Sequence, residues 1–329
     1  MNIKLFTHTD LDGIGCAILA YLAFGKENVD VEYCNYDDID DKVTDFATDE
    51  EKAKSYDHIF ITDISVEDFV ASYIDRNYKH GGPWQLFDHH QTALELNKYD
   101  WCNVLIEAAD GSGLKTCGTE LFGVYLLSSA GLVNRYHWDT LTNILQFIGN
   151  VRDYDTWRWT TMGGDGIVSK NVNDLLDIYG REQFINVMFA RIRTYNSFPS
   201  ITPDEFLLLR QRKEEIDRYV IQKKEQLIRA RDTYGHLYAY VFAERFFSEL
   251  GNRLCQMTPE LDYVVIIDIS NGKISYRTIR DDLNLGTEIA HAYGGGGHAK
   301  AAGSTFDREY ISGLIIKKLF ENDEMKGVE

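Results

Sequence analysis

The 329-residue chain contains few prolines, four in all, and no run of apolar residues long enough to span a bilayer. With 44% hydrophobic residues, this composition excludes a collagen-like or disordered chain and predicts a globular protein. The start of the chain also lacks the layout of a signal peptide. We therefore expect neither a membrane protein nor a secreted one, and the length predicts two domains.

Cysteine pairing patterns are absent as well. The five cysteines are odd in number, and no two of them form a CxxC motif. This pattern argues against a zinc ribbon and against a disulfide framework, and it favours free thiols in a reducing compartment. The sequence thus predicts a cytoplasmic protein.

Basic residues are also scarce. The chain has 34 Lys and Arg against 52 Asp and Glu, a net charge of −18, and most of this excess lies in residues 1–100. Long nucleic acids bind basic surfaces, so we expect no long duplex as a partner. Part of the acidic excess, between Asp37 and Glu51, is interpreted as a solvated loop or helix face.

The first half of the sequence contains alternating strand and helix patterns. Short apolar runs predict strands at residues 2–7, 58–62 and 84–87, and helical patterns fill the gaps. This alternation predicts an α/β fold with a parallel sheet. Ligands of such sheets bind beyond the carboxyl ends of the strands. Acidic residues follow these three strands, which places a candidate site at that edge.

The second half of the sequence predicts a connecting helix and a smaller α/β domain. A charged stretch from Pro203 to about Thr233 indicates one long helix. Beyond it, Asn271-Gly272 marks a hairpin turn between two of three further strand-like runs, at residues 238–243, 263–270 and 274–279. The predicted organisation is a catalytic domain, a helical linker and a substrate-binding domain, at residues 1–200, 201–234 and 235–329.

Carboxylates and histidines collect at the predicted strand ends. Residues i, i+2 and i+4 of a strand face one side, so His8, Asp10 and Asp12 are expected to point to one place. Asp63 and the run Asp88-His89-His90 follow neighbouring strands. Converging carboxylates repel one another without a cation, and mixed oxygen and nitrogen ligands favour Mn²⁺ or a similar ion. Two such ions would hold a phosphate and generate a hydroxide for in-line attack.

Five motifs resemble those of a known family. THTDLDGIG, ITDIS, FDHHQT and IGNVRDYDTW resemble, in order, the four motifs of the DHH phosphoesterase superfamily. GGGGHAKAAG resembles the glycine-rich signature of the DHH-associated C-terminal domain. The resemblance covers nearly the whole chain. It implies a two-domain hydrolase, typically Mn²⁺-dependent, that cuts phosphodiester or phosphoanhydride bonds at an active site in the cleft between the domains.

Matched position by position, the resemblance implies a set of ligands for two Mn²⁺ ions, with Mg²⁺ or Co²⁺ as substitutes. The set comprises Asp10, Asp12, Asp63, His89 and Asp153. In this set Asp63 bridges both ions. We also predict His8 as a ligand from strand alternation, although pyrophosphatase-like branches carry their histidine where this chain has Phe6. Asp155 is an open alternative to Asp153, which the match to IGNVRD favours.

The resemblance also implies catalytic roles for residues beside the metals. Asp88 would orient a histidine, as metal-site histidines usually require. His90 would face the substrate phosphate, and Asp63 would lie between the two ions. The predicted catalytic residues are therefore His90, Asp88 and Asp63.

A second group of residues is predicted to bind substrate. Glycine backbones admit a phosphate or a sugar, and the glycine-rich signature supplies Gly295, Gly296, Gly297 and His298. Arg277 matches the family's substrate-facing arginine, and a guanidinium suits bidentate phosphate binding. Arg280 is a further candidate, with a surface salt bridge to Asp281 or Asp282 as the alternative.

The choice among family branches rests on size and charge. RecJ-like single-strand exonucleases carry extra nucleic-acid-binding modules, and membrane-bound cyclic-dinucleotide phosphodiesterases carry transmembrane and sensor segments. This compact, acidic chain instead suits short RNA, linear dinucleotides or pAp. Its DLDG and DYDTW segments resemble the oligoribonuclease (nanoRNase) branch. A non-catalytic nucleotide sensor would require a degraded metal motif, and all the motifs are intact.

The predicted function is Mn²⁺-dependent hydrolysis of short oligoribonucleotides to nucleoside 5′-monophosphates. A pAp phosphatase and a linear or cyclic dinucleotide phosphodiesterase are open alternatives. A RecJ-like exonuclease is a further one. The polarity of cleavage and the oligomeric state, including a homodimer, are left open.

Overall fold

A computed structural model describes residues 1–129, 131–194, 198 and 201–320. The chain divides into two compact units, Met1–Leu209 and Arg210–Glu329. Residue 200, where the first predicted domain ends, and residues 321–329 lie outside the described residues, and the predicted domain bounds stay a prediction. Within the described ranges, no helix is both long and apolar enough to cross a membrane.

A parallel sheet forms the centre of the first unit. Its strands are β1 (Ile3–His8), β2 (Val29–Cys34), β3 (His58–Thr62), β4 (Trp84–Asp88) and β5 (Cys102–Val104). They lie side by side in the order β2-β1-β3-β4-β5, and every neighbouring pair is parallel. The predicted α/β class is confirmed. Sequence patterns missed β2 and β5, because β2 is a half-exposed edge strand and β5 is very short.

Helices cover the sheet. They are α1 (Leu11–Phe24), α2 (Ile39–Thr48), α3 (Glu50–Ala53), α4 (Asp68–Asn77), α5 (Gly118–Ser128), α6 (Leu132–Arg135), α7 (Trp138–Asp155), α8 (Gly164–Tyr179) and α9 (Arg181–Thr194). Adjacent β1 residues Leu5 and Phe6 belong to two different apolar clusters, as strand alternation requires. Every residue of α1 except Tyr21 is buried, so this helix lies in the core. It carries part of the site.

The acidic stretch between Asp37 and Glu51 is mainly helical. It contains α2 and the start of α3, so the interpretation as a helix face fits better than a loop. Within α2, the side chains of Ile39, Val43 and Phe46 are buried, while those of Asp41 and Asp45 are exposed. The solvated charges therefore lie on the outer side of an amphipathic element.

The predicted long helix is present but shorter than expected. Helix α10 (Pro203–Glu225) ends well before Thr233, and the boundary between the two units falls inside it. The next residues form strand β6 (Ile228–Arg231), which pairs with β7 (Leu237–Phe242). The extent predicted to Thr233 is thus wrong. Apolar and basic residues alternate over only four positions here, Ile228 to Arg231, directly after a charged helical stretch. So short a pattern does not mark a strand, and pairing with β7 defines it.

The second unit contains a mixed sheet. Its remaining strands are β8 (Tyr263–Asp268), β9 (Lys273–Arg277), β10 (Gly296–Gly297) and β11 (Ala301–Thr305). The strand order is β10-β11-β9-β8-β7-β6, with only the β7–β8 pair parallel. The helices are α11 (Phe247–Met257) and α12 (Arg308–Phe320), with short turns of π and 3₁₀ type at Leu285–Ile289 and Ala290–Tyr293. The predicted hairpin between β8 and β9 is confirmed, and its Gly272 has φ +62°.

Candidate active site

The first part of the site lies where β1 passes into α1. His8 is the last residue of β1, and Asp10 caps α1 by accepting hydrogen bonds from the backbone N–H groups of Asp12 and Gly13, both at 3.1 Å. Asp12 lies in the first helical turn. Strand alternation is therefore the wrong reason for grouping these three residues, since only His8 is in the strand. A Cβ on Gly13 would lie 2.2 Å from the His8 carbonyl oxygen, so the tight turn requires glycine.

Asp12 is held by the N-terminus of α5. Its Oδ2 accepts a hydrogen bond from Gly118 N at 2.6 Å, and its Oδ1 accepts one from Thr119 N at 2.7 Å. These donors are among the first N–H groups of a helix, which have no partner inside the helix. A Cβ on Gly118 would lie 2.6 Å from the Cβ of Asp63, so α5 can approach only because this residue is glycine. Sequence reasoning missed both donors because they lie far from Asp12 along the chain.

Asp63 lies between two groups of side chains. It follows β3 with φ +59°, a left-handed conformation rare outside glycine, and it is buried. Its Oδ2 lies 3.9 Å from His8 Nδ1, and its Oδ1 lies 3.3 Å from His89 Nε2. Burial first, and then the negative charges of Asp12 and Asp10, raise the pKa of Asp63 well above its usual value. A carboxylate in such surroundings calls for a compensating cation.

His89 is the centre of the second group. Its Nε2 lies 3.7 Å from Asp12 Oδ2 and 3.6 Å from Asp155 Oδ2. Burial lowers the pKa of His89 despite these nearby carboxylates, which favours the neutral imidazole that binds metals. Burial, followed by the charges of Asp12 and Asp10, raises the pKa of Asp155.

Asp153 has different surroundings from Asp155. Its Oδ1 accepts hydrogen bonds from Arg158 Nη1 at 2.7 Å and from Arg152 Nη2 at 3.2 Å. Residues two apart on a helix point about 200° apart, so α7 cannot direct both carboxylates to one place. The structure brings Asp155 to His89. Among the described residues it places Asp153 in none of the groups able to hold an ion.

A separate hydrogen-bonded chain lies beside these groups. His90 Nδ1 is 2.7 Å from Asp88 Oδ1, Ser65 Oγ donates to Asp88 Oδ2, and His90 Nε2 is 3.2 Å from Tyr36 Oη. Burial acts to lower the pKa of His90, but the hydrogen bond and charge of Asp88 outweigh it and raise that pKa. Asp88 thus orients the second histidine of the DHH run. Tyr36 was not predicted, because it follows β2, the strand that sequence patterns missed.

The donor set fits divalent metal ions. The described residues contain three groups whose ligand atoms lie within 4.8 Å of one another. They are His8-Asp10-Asp63, Asp12-His89-Asp155 and Asp63-Asp88-His89-His90. Asp63 Oδ2 and His89 Nε2 are buried without a hydrogen-bond partner, a costly state that a coordinated cation would relieve. Carboxylate oxygens mixed with imidazole nitrogens suit a transition metal such as Mn²⁺ better than Ca²⁺.

Arg277 lies at the end of β9 in the second unit. Its Nη1 donates to the carbonyl oxygen of Tyr276 at 2.9 Å, and its Nη2 lies 3.4 Å from Ser248 Oγ. A Cβ on Gly251 would lie 2.4 Å from Arg277 Cγ, so α11 packs directly on this side chain. Burial lowers the pKa of Arg277, and its Nε has no hydrogen-bond partner. A partly buried guanidinium with an unpaired nitrogen is suited to an anion.

The glycine-rich segment lies in the same sheet as Arg277. Ala301 of β11 pairs with Arg277, and the backbone N–H of His298 donates to the Ala301 carbonyl oxygen at 2.8 Å. Gly297 pairs with Ala302 and has φ +132°, a conformation available essentially to glycine. Two of the glycines, Gly296 and Gly297, form β10 and the segment is not simply a loop. Arg277 and exposed His298 are thus brought to one part of the sheet.

Arg280 is engaged by carboxylates. Its Nε and Nη2 lie 2.9 and 2.7 Å from the two oxygens of Asp282, and its Nη1 lies 2.8 Å from Asp262 Oδ1. The salt bridge with Asp282 is one of the alternatives that the sequence left open. Its role in phosphate binding stays a prediction, and in this structure these three nitrogens are paired with carboxylates.

The fold and the side chains together indicate a class of protein, a two-unit α/β protein with a DHH-type cluster of aspartates and histidines. No family model matches the chain. The chain is 36% identical to oligoribonuclease NrnB of Bacillus subtilis strain 168 over 323 residues, which cover 98% of this chain and 77% of that protein. The chain belongs to the DHH phosphoesterase family that includes this relative.

Solved structures agree on the fold. The DHH domain of a member of a family of ribosomal proteins superposes with a TM-score of 0.57 and 11% identity, over 95% of this chain and 84% of that one. An exonuclease RecJ bound to manganese superposes with a TM-score of 0.56 and 12% identity, over 99% of this chain and 92% of that one. The predicted DHH-type fold class is confirmed. Membership of the family makes the chain a nucleic acid phosphodiesterase, an enzyme that hydrolyses phosphoester bonds.

Proposed function

We propose that this enzyme degrades short oligoribonucleotides to nucleoside 5′-monophosphates with two Mn²⁺ ions. The relative with 36% identity over 98% of this chain is named an oligoribonuclease, which supports short RNA as the substrate. The observation that carries the chemistry is Asp63, whose two oxygens face His8 and His89 at 3.9 and 3.3 Å. One carboxylate between two groups of ligands is the arrangement that a pair of metal ions requires.

The proposed ligands form two sets that share Asp63. They are His8, Asp10 and Asp63 for one ion, and Asp12, His89, Asp155 and Asp63 for the other. Asp155 takes the place that sequence matching assigned to Asp153, because it is Asp155 that lies 3.6 Å from His89. Manganese is proposed because the donors mix oxygen and nitrogen and because a RecJ of this fold is bound to it, with Mg²⁺ or Co²⁺ as substitutes. Ions held here would neutralise charge on the scissile phosphate and lower the pKa of a bound water.

Protein side chains complete the proposed site. Asp88 fixes His90 through Nδ1 and favours its protonated form. The Nε2–H, which lies 3.2 Å from Tyr36 Oη, would donate its hydrogen bond to a phosphate oxygen in place of this hydroxyl. A donor held in place before the reaction stabilises the charge that develops on the phosphate. Asp12 is held by the α5 N-terminus, which keeps the ligand geometry rigid.

Residues of the second unit are proposed to bind the substrate. Arg277 would bind a phosphate through its fixed guanidinium, and His298 with Gly295, Gly296 and Gly297 would contact the terminal nucleotide. Arg280 is given a structural role, since Asp282 and Asp262 already occupy its donors. The predicted cleft between the domains stays a prediction. A cytoplasmic location is proposed too, because all five cysteines are buried free thiols.

A parallel assay tests the proposed substrate. The full-length protein is incubated with Mn²⁺ and, separately, a labelled RNA dinucleotide, a pentanucleotide, a long single strand and pAp. We expect the two short oligomers to be cleaved fastest, with nucleoside 5′-monophosphates as products. Preference for pAp, or for the long strand, would contradict the proposal and move the enzyme to another branch of the family.

Asp63→Asn tests the proposed site. Both ion positions lose their shared carboxylate, so cleavage should fall by several orders of magnitude while far-ultraviolet circular dichroism stays unchanged. Asp45→Asn is the matched control, because Asp45 is exposed on α2 away from the ligands. Full activity in Asp63→Asn would remove this cluster from the active site.

A further inference from the structure

Three aromatic residues cluster at the C-terminal end of α7. The ring centroids of Trp157 and Trp159 are 5.8 Å apart, and Trp159 stacks on Tyr154 at 6.2 Å with an interplanar angle of 17°. Trp159 and Tyr154 are partly buried, whereas Trp157 is 47% exposed. The inner rings thus support an outer indole that still presents surface to solvent.

Trp157 lies close to the candidate active site along the chain. Trp157 is two residues after Asp155, so their Cα atoms are at most about 7.6 Å apart. Asp155 itself lies 3.6 Å from His89. A phosphodiester held by the proposed ligands would therefore have this aromatic side chain within the reach of a neighbouring nucleoside.

The backbone holds Trp157 in a defined place. It has φ +61° in the position after a helix end where glycine is usual. Its N–H donates to the Tyr154 carbonyl oxygen at 3.1 Å, and its own carbonyl oxygen accepts from Thr160 N at 3.2 Å. The next residue, Arg158, is held by Asp153 at 2.7 Å. A large, half-exposed aromatic residue therefore adopts a backbone conformation that is unfavourable for residues other than glycine. The local fold gives no reason for a tryptophan at this position.

We propose that Trp157 stacks on a nucleobase of the RNA adjacent to the scissile phosphate. This inference rests on the proposed function. Stacking uses the aromatic face that every base possesses, so it would bind short RNA without selecting its sequence. A dinucleotide has few phosphates to bind, so one stacked base would supply a large share of its affinity.

A variant series tests the contact in the full-length, Mn²⁺-loaded protein. Trp157→Ala should raise KM for a dinucleotide by about 5- to 100-fold, the range of one lost stacking contact. Trp157→Phe should recover part of that loss. Neither variant should change cleavage of a dinucleotide analogue that lacks the base at the stacked position. Trp138→Ala is the control, because Trp138 is also exposed on α7 but lies about 25 Å along the helix from Asp155.

Trp157→Gly separates binding from folding. Glycine adopts φ +61° without strain, so this variant should unfold at or above the midpoint of Trp157→Ala while KM rises equally. An equal loss with base-bearing and base-free substrates would show a structural role and overturn the proposal. An unchanged KM in Trp157→Ala would overturn it as well.

A binding measurement distinguishes failure of this inference from failure of the proposed function. Titration with AMP should quench tryptophan fluorescence in the wild type, and the quenching should fall in Trp157→Phe. Suppose that the quenching depends on Trp157 but the protein does not cleave short RNA. That result would overturn the proposed substrate and support the base contact. Equal quenching in both proteins would overturn the base contact alone.

Discussion

At the scale of single residues, the site is decided by which way each carboxylate points. Asp153 and Asp155 are two positions apart on α7, yet one is bound by Arg152 and Arg158 while the other faces His89. Both side chains lose solvent, and each needs positive charge to offset that loss. Arginine supplies it for Asp153, and in the proposed site a metal ion would supply it for Asp155.

The pair Asp155→Asn and Asp153→Asn tests this division. Asp155→Asn should weaken Mn²⁺ binding by more than about 10-fold. Loss of a residue that only orients a ligand already costs about 10-fold in metal affinity, and loss of the ligand itself should cost at least as much. Asp153→Asn should retain Mn²⁺ binding but lower the free energy of unfolding by about 1–3 kcal/mol, since two arginines lose a charged partner. Isothermal titration with Mn²⁺ and urea unfolding measure the two effects. The opposite pattern would return Asp153 to the metal site.

At the scale of elements, a buried ion pair connects helices α9 and α10. Arg191 of α9 donates to Glu205 of α10 at 2.6 Å, and both side chains are almost fully buried. Glu205 also accepts hydrogen bonds from Tyr179 Oη at 2.8 Å and from Thr202 N at 2.7 Å. A buried ion pair with this many hydrogen bonds is costly to break, because either partner alone is an uncompensated charge.

Glu205→Gln should lower the free energy of unfolding at pH 7 by about 3 kcal/mol. Burial acts to raise the pKa of Glu205, but the hydrogen bond from Arg191 outweighs it and the pKa is lowered. This stability is therefore present above the unfolded pKa of about 4.3 and is lost as the pH falls through the lower folded value. The difference between wild type and variant should begin to shrink below the unfolded pKa of about 4.3 and disappear only below the lower folded value.

Tryptophan fluorescence in urea measures this effect, because all five tryptophans lie in the first unit. Glu50→Gln is the control in the same unit, in an ion pair on the surface. Its partner Lys54 is 65% exposed, so the loss should stay below about 1 kcal/mol. Equal losses in the two variants would show that burial of the Arg191 pair contributes nothing beyond an ordinary surface pair.

At the scale of the whole molecule, the net charge of −18 has two sources. Part of it is solvated surface, such as the outer side of α2, and part is the converging cluster around Asp63. The surface charge disfavours long polyanions, whereas the cluster would become the proposed phosphate site if cations bound there. Metal binding should therefore stabilise the fold as well as supply chemistry.

Mn²⁺ should raise the unfolding temperature of the wild type and EDTA should reverse the rise. At a free concentration of 100 times the dissociation constant, binding adds about 2.7 kcal/mol to the free energy of unfolding. The rise should be absent in Asp63→Asn and intact in Asp45→Asn. Differential scanning calorimetry of the three proteins, with and without Mn²⁺, measures it. An unfolding temperature of the wild type that does not change with Mn²⁺ would contradict the proposed metal site.

Local sequence patterns predicted several of the elements and the residue types of the site. The strands at residues 58–62 and 84–87, the acids that follow them and the DHH run are set by local patterns, because apolar alternation and contiguous motifs depend on neighbours in the chain. The β8–β9 hairpin followed from one Asn-Gly pair for the same reason.

Tertiary structure alone decided how those residues meet. Asp12 is held by Gly118, which is 106 positions away, and His90 contacts Tyr36 across 54 positions. The orientation of Asp155 toward His89 and the capture of Arg280 by Asp262 likewise depend on packing between elements. A local pattern specifies which groups are available, whereas distances of about 3 to 4 Å between them exist only after burial of the apolar clusters brings the elements together.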